Sequence, residues 1–402
     1  MRKDILSSLA AKIGAAFFNF LVLIISSRFL GVELRGELAY TIAFALTVAA
    51  FISISLENGY VSLINNVVNR HDMESAFVTI LFILSVSCFV LLVFIQHLFM
   101  LNLSQNLYLI AFVGSATLVS KCLIGLFLVD GDLYKYNISL FITRLMYLIL
   151  SFISMYSGFG VAGVLFSFLS VQLVLILMVI KQKRLKLNFT DHIGAVKQLS
   201  AHSLKVHAST LGTILILQVP LILIGMFSTK ANVAIFDTSL QVVSVLVLVI
   251  SSLTPVVYSK VANSSSLDGI KSTTKLIVWS YYISTPITLL VYFFSEQIIT
   301  ILFGADYISS VNVLNVLLIM FWFNIINYFA CPLWIMRGDA SKLALLNVFI
   351  GGVNSLGSYY LISFYGISEV AVLLVLSAGF IFLVHFFYLT SMKVNKVNNC
   401  KT

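Results

Sequence analysis

Charge is what this sequence has least of. Asp, Glu, Lys and Arg make up 10% of its 402 residues, against roughly 25% in soluble globular domains. A chain this poor in charge cannot cover a water-facing surface, which excludes a soluble enzyme or a soluble binding module. Chemical signatures are missing too. No paired carboxylates, Ser-His-Asp set, metal-ligand cluster or nucleotide-cradling glycine loop stands in a suitable setting. No cofactor, direct use of ATP or nucleic-acid partner is therefore expected. Cys88, Cys122, Cys331 and Cys400 show no CxxC spacing and read as small apolar fillers. A cleavable leader is not expected either. The first apolar stretch, Ile5 to Leu30, is too long for a signal core, lacks a small-x-small site, and reads as a retained helix.

What the chain does have is apolar length. Hydrophobic residues are 60% of it, and the mean hydropathy is +1.06. A helix crossing a bilayer needs about 20 apolar residues, and such runs follow one another from Ile5 to Thr390. The expected spans are 5–30, 38–66, 75–98, 105–129, 137–157, 161–180, 200–227, 233–258, 273–294, 306–335, 342–364 and 366–390. The expected fold is an all-α polytopic membrane protein of about twelve transmembrane helices, two six-helix halves around a central cavity.

The net charge of +9 is read first as topology. With the N-terminus in the cytoplasm, 17 of the 24 Lys and Arg residues fall on the cytoplasmic side, 3 fall outside, and 4 lie within spans. That asymmetry follows the positive-inside rule and places both termini in the cytoplasm. The longest connection, KQKRLKLNFTDHIGAVKQL from Lys181 to Leu199, divides the chain into 1–198 and 199–402. The turns GDLYK (Gly131 to Lys135) and GDASK (Gly338 to Lys342) share G-D-x-x-K after spans four and ten. Halves with an even number of spans would be parallel repeats, an arrangement common in transporters.

Charges inside spans are costly, by at least about 2.5 kcal/mol at the bilayer centre, so they normally face a cavity or a partner. Lys12, Lys121, Arg144 and Lys205 each lie several residues inside the cytoplasmic end of a span, roughly 9–12 Å deep at 1.5 Å per residue. Glu57 reaches a similar depth. Polar residues share helical stripes: Lys12 with Asn19 and Ser26, Arg144 with Asn137, Tyr147 and Ser151, and Asp237 with Gln241, Ser244 and Ser251. Lys12, Lys121, Arg144, Lys205 and Asn19 are the expected cavity lining. Glu57, Asp237, Gln241 and Ser244 are the ion-coupling candidates. Plainer readings stand beside these. Lys12 and Glu57 could neutralise each other, Lys12 and Lys205 could snorkel to the interface, and Ser and Asn stripes also join helices. His202, His207, Trp279 and Trp334 read as interfacial residues.

SSRFLGVELRGELAY (Ser26 to Tyr40) resembles the aRxLGpexyGxfa signature of the polysaccharide flippases (Wzx type) of the multidrug/oligosaccharidyl-lipid/polysaccharide exporter superfamily. SLENGYVS (Ser55 to Ser62) resembles their DxGl element, LTPVVYSKVA their xxPxxfpxls, and LFGADYISSVNVLNVLL (Leu302 to Leu318) their lfGxxYxxaxxvlxil. The four stand in the family's order and span the chain. Departures are QVPLILIG (Gln218 to Gly225), where many relatives carry an acid and a base, Ala234 in place of a glycine, and Glu57 in place of Asp. The resemblance implies a flippase of the bacterial inner membrane, moving an undecaprenyl-diphosphate-linked oligosaccharide such as an O-antigen repeat unit to the periplasmic leaflet. It also implies other polysaccharide assembly proteins as partners, and proton or sodium coupling. A drug exporter of the same superfamily would favour acidic lining, whereas the basic residues here outnumber Glu57 and Asp237. A polymerase or ligase would favour a large periplasmic loop, and the external loops are a few residues long.

Overall fold

The computed structural model describes residues 2–64, 70–98, 107–183, 193–251, 254, 257 and 266–399. Residues 184–192 of the basic connection, most of LTPVVYSKVA, and Cys400 lie outside the described residues. Among the described residues there are helices and turns and no strand, as a bilayer demands of a chain that must satisfy every backbone group internally.

The helices are α1 (Arg2–Ile52), α2 (Leu56–Leu63), α3 (Arg70–Leu98), α4 (Leu107–Ile124), α5 (Leu126–Val129), α6 (Leu133–Tyr156), α7 (Gly160–Lys183) and α8 (Ile193–Leu217). They continue as α9 (Val219–Phe227), α10 (Lys230–Ser251), α11 (Ser266–Phe293), α12 (Ser295–Leu302), α13 (Ser310–Met336), α14 (Ala340–Phe364) and α15 (Ile367–Asn399). Eleven stretches of the described residues are long and apolar enough to cross a membrane. The first, Ala10–Leu63, has 54 residues, which is about 80 Å of helix and enough for two crossings of a roughly 30 Å hydrocarbon layer. It is broken at Gly31, whose φ of 72° and ψ of 176° only glycine adopts readily. With that stretch counted twice, the crossings come to about twelve. The protein is a multi-pass membrane protein.

The chain forms two compact units, Met1–Ile214 with Thr229–Ala234, and Leu215–Ser228 with Ile235–Thr402. The core of the first is built from Val22, Leu38, Ala45, Ile110, Val113, Val164 and Leu165. Outward faces stay apolar, as at Phe82, Phe94, Phe112, Leu356, Leu376 and Phe387. Such surface is unstable in water and suited to lipid.

The two G-D-x-x-K turns have the same local structure. Gly131 (φ 68°) and Gly338 (φ 81°) sit in left-handed conformation. In one turn Gly131 N donates to Leu128 O at 3.1 Å and Asp132 N to Phe127 O at 2.9 Å; in the other Gly338 N donates to Ile335 O at 3.1 Å and Asp339 N to Trp334 O at 3.0 Å. This pair of bonds is the Schellman helix ending. Each aspartate then pairs with the lysine three residues on, Asp132 with Lys135 and Asp339 with Lys342, both at 2.7 Å. Lys135 holds the Asp132 carboxyl below the usual range, and Lys342, with the Tyr388 hydroxyl, does the same for Asp339. In each unit the ring preceding the turn meets a side chain from a later long helix of the same unit. Lys183 of α7 lies over Phe127 at 5.1 Å and bonds Asp130, while Tyr388 of α15 stacks on Trp334 at 3.8 Å and bonds Asp339.

Candidate functional site

The helix of span two breaks between α1 and α2. Ile54 and Ser55 have φ of 44° and 50°, a left-handed conformation that is costly for a β-branched residue. Side chains from α8 hold the break: His207 Nδ1 lies 3.1 Å from Ser55 Oγ, and Thr210 Oγ1 lies 2.9 Å from the same oxygen. Two residues beyond it comes Glu57, almost wholly buried. Its Oε1 is 3.3 Å from Lys121 Nζ on α4, and Cys122 Sγ donates to its Oε2 at 3.6 Å. Tyr136 at the start of α6 lies within electrostatic reach of it. The Lys12–Glu57 pairing weighed from the sequence is not what forms. The partner is Lys121, because α4 presents it directly against α2.

Arg144 lies elsewhere. It is eight residues beyond Tyr136 on α6, or roughly 12 Å deeper. The packing of α1 on α6 gives the same depth. Phe18 meets Phe141 with centroids 5.1 Å apart, and Phe29 meets Phe152 at 6.0 Å, so the two helices run in the same direction with a fixed register. At that register Arg144 is level with Leu21, close to Asn19, and Lys12 is level with Lys135. The single basic level expected from span ends is therefore two levels, a shallow one with Lys12, Lys121 and Glu57 and a deeper one with Arg144. Lys205, two residues from His207, belongs with the shallow group. Lys12, Asn19 and Lys205 are exposed. Among the described residues Lys12, Arg144 and Lys205 have no carboxylate within ion-pair distance, whereas Lys121 has Glu57.

In the second unit Asp237 is buried on α10. Gln241 Nε2 donates to its Oδ1 at 3.3 Å, and Ser244 Oγ donates to the Gln241 carbonyl at 2.7 Å. The expected stripe is thus a hydrogen-bonded ladder along one helix face.

The family profile described as "Polysaccharide biosynthesis protein" matches residues 28–312. The chain belongs to this family. No curated sequence matches it. Among solved structures it is similar to an inward-facing multidrug resistance MATE family transporter of the MOP superfamily, with 15% identity, a TM-score of 0.78 and 96% of both chains covered. It is also similar to the lipid II flippase MurJ in an inward closed conformation, with 15% identity, a TM-score of 0.79, and 96% of this chain and 87% of that one covered. A third is a MOP superfamily transporter from Pyrococcus furiosus, with 14% identity, a TM-score of 0.66, and 98% and 96% covered. The fold is that of these transporters.

Two polar clusters of this family member escaped the sequence reading. Trp334, expected at the membrane interface, is buried and donates from Nε1 to His385 Nδ1 at 3.0 Å. The ring proton then sits on Nε2, which donates to Asn327 Oδ1 at 2.9 Å, and Cys331 Sγ donates to the same oxygen at 2.9 Å. These contacts tie α13 to α15. His207, also expected at the interface, is 3% exposed. The signal for His385 was there to read: an ionisable residue within IFLVHFFYL needs a partner.

Proposed function

We propose that the protein is a flippase carrying an undecaprenyl-diphosphate-linked oligosaccharide from the cytoplasmic to the periplasmic leaflet by alternating access. One observation carries the reading. Unit one holds Arg144 within a membrane helix with no carboxylate to neutralise it among the described residues. Such a charge is costly in a bilayer, and an arriving diphosphate would supply what is missing. Lys12, Lys121 and Lys205 receive the diphosphate at the cytoplasmic mouth, and Arg144 with Asn19 holds it deeper. Membership of a polysaccharide biosynthesis family and likeness to a lipid II flippase support this substrate class. Glu57 and the Asp237–Gln241–Ser244 ladder are the proposed proton or sodium sites, and no cofactor is required. The test is a leaflet-accessibility assay of lipid-linked oligosaccharide in cells lacking the protein. Substrate should accumulate in the cytoplasmic leaflet, and an unchanged distribution would sink the reading.

The membrane is proposed to be the bacterial inner membrane, with both termini in the cytoplasm. Single cysteines at residues 190, 268 and 339, and the native Cys400, are expected to react with impermeant reagent only from the cytoplasm. Those at 33, 230 and 366 should react only from the periplasm. Periplasmic labelling at 190 would reverse the orientation.

A further inference from the structure

The Lys121–Glu57 pair is unequal. Glu57 keeps 9% of its side-chain surface exposed and Lys121 keeps 50%, with the charges 3.3 Å apart. Oε1 of Glu57 accepts no well-directed hydrogen bond, and Oε2 meets the Cys122 thiol, a weak donor. Lys121 is therefore the main charged partner that this carboxylate has. Its ammonium rides on a flexible four-carbon stem and is free to swing to another anion, whereas the buried carboxylate cannot follow. The remaining groups around Glu57 do not replace it. Tyr136 faces it from α6 and His207 from α8. On α2 itself stands Tyr60, which senses Arg70 and Glu74 of α3 and Asp130 after α5. Among the described residues no second cation lies within ion-pair distance of Glu57.

We propose that a diphosphate loading from the cytoplasm takes Lys121 away from Glu57, and that Glu57 then binds a proton, so that anion and proton load together. The proposal rests on the diphosphate reading above. A carboxylate left buried without its counter-charge is disfavoured against its neutral form. The proton comes from water and ends on a Glu57 oxygen, and no bond in the lipid changes. Reciprocity follows: a proton on Glu57 releases Lys121, so the anion binds more tightly as pH falls. A diphosphate diester with one proton carries a net single negative charge outward, a direction that an inside-negative potential favours.

The experiment is calorimetry on the purified full-length chain in nanodiscs, near pH 7, in two buffers of different ionisation heat. The probe is a short-chain polyprenyl-diphospho-sugar. Its phosphates are diesters and do not titrate near neutrality, unlike a phosphate monoester with a second pKa of about 6. Binding should take up about one proton per probe bound, the stoichiometry of a single carboxylate. Glu57→Gln should bind the probe at least as tightly with no uptake, and Lys121→Ala should bind at least about ten-fold more weakly. Wild-type binding without uptake, or the same uptake in Glu57→Gln, overturns the exchange and leaves the diphosphate site standing. If the wild-type chain does not bind the probe at all, the exchange and the proposed substrate fall together.

Discussion

Arg144→Ala is expected to abolish complementation of a strain lacking this protein while the variant inserts at normal levels. The two halves of that result come from the same feature. Among the described residues no carboxylate pairs with Arg144, so removing its charge leaves no buried counter-ion behind, and the fold loses little. A substrate diphosphate loses its deepest cation. At an effective dielectric near 20, a close charge contact is worth about 4 kcal/mol before desolvation, so a fraction of it costs more than about a hundred-fold in rate. Arg144→Lys should keep part of the activity, because lysine retains the charge without the bidentate grip on phosphate. Normal flipping by Arg144→Ala at equal expression would assign the residue to packing.

Gly36→Ala should cause a large loss of stability, since an added Cβ there meets a closer obstacle than at Gly59, Gly114 or Gly163. In an open helix interior the substitution would help by roughly 1 kcal/mol. Here an added Cβ would lie 1.7 Å from the carbonyl oxygen of Lys230 and 2.5 Å from its carbon. That obstacle is backbone, and the Lys230 side chain is itself held over the Tyr40 ring, 3.6 Å from its centroid. Overpacking of this kind costs about 1–3 kcal/mol or more. The expected result is a melting temperature several degrees lower in detergent and less inserted protein. Gly352→Ala is the matched control, since a Cβ there meets nothing within 4 Å. Equal melting of the two variants would refute the close approach. The same contact accounts for a glycine in the LRGEL part of the signature: α1 and the start of α10 meet there with no room for a side chain.

The depth of a charge does not follow from its distance to a span end. Counting inward assumes that every helix begins at the same plane. Packing obeys side-chain shape instead: Phe18 seats against Phe141, which slides α1 along α6 until Lys12 is level with Lys135 and Arg144 lies well below both. The partner of Glu57 was hidden for a related reason. Ile54 and Ser55 break the helix just before it, and no helical stripe drawn through span two predicts where the chain points after two left-handed residues.

Other features were legible because their causes are local. Low charge and long apolar runs determined a membrane protein of about twelve crossings, since a bilayer allows little else. The G-D-x-x-K repeat determined two like turns, because a left-handed glycine closes one helix and an aspartate three residues before a lysine opens the next, all within one short turn. Tertiary structure alone decided which charges pair and which stay unpaired. Lys121 with Glu57, His385 between Trp334 and Asn327, and Arg144 without a carboxylate among the described residues all depend on the rotation and register of helices far apart in the chain. Hydropathy and periodicity constrain each helix singly. Only the interlocking of side chains sets how one helix is turned against the next.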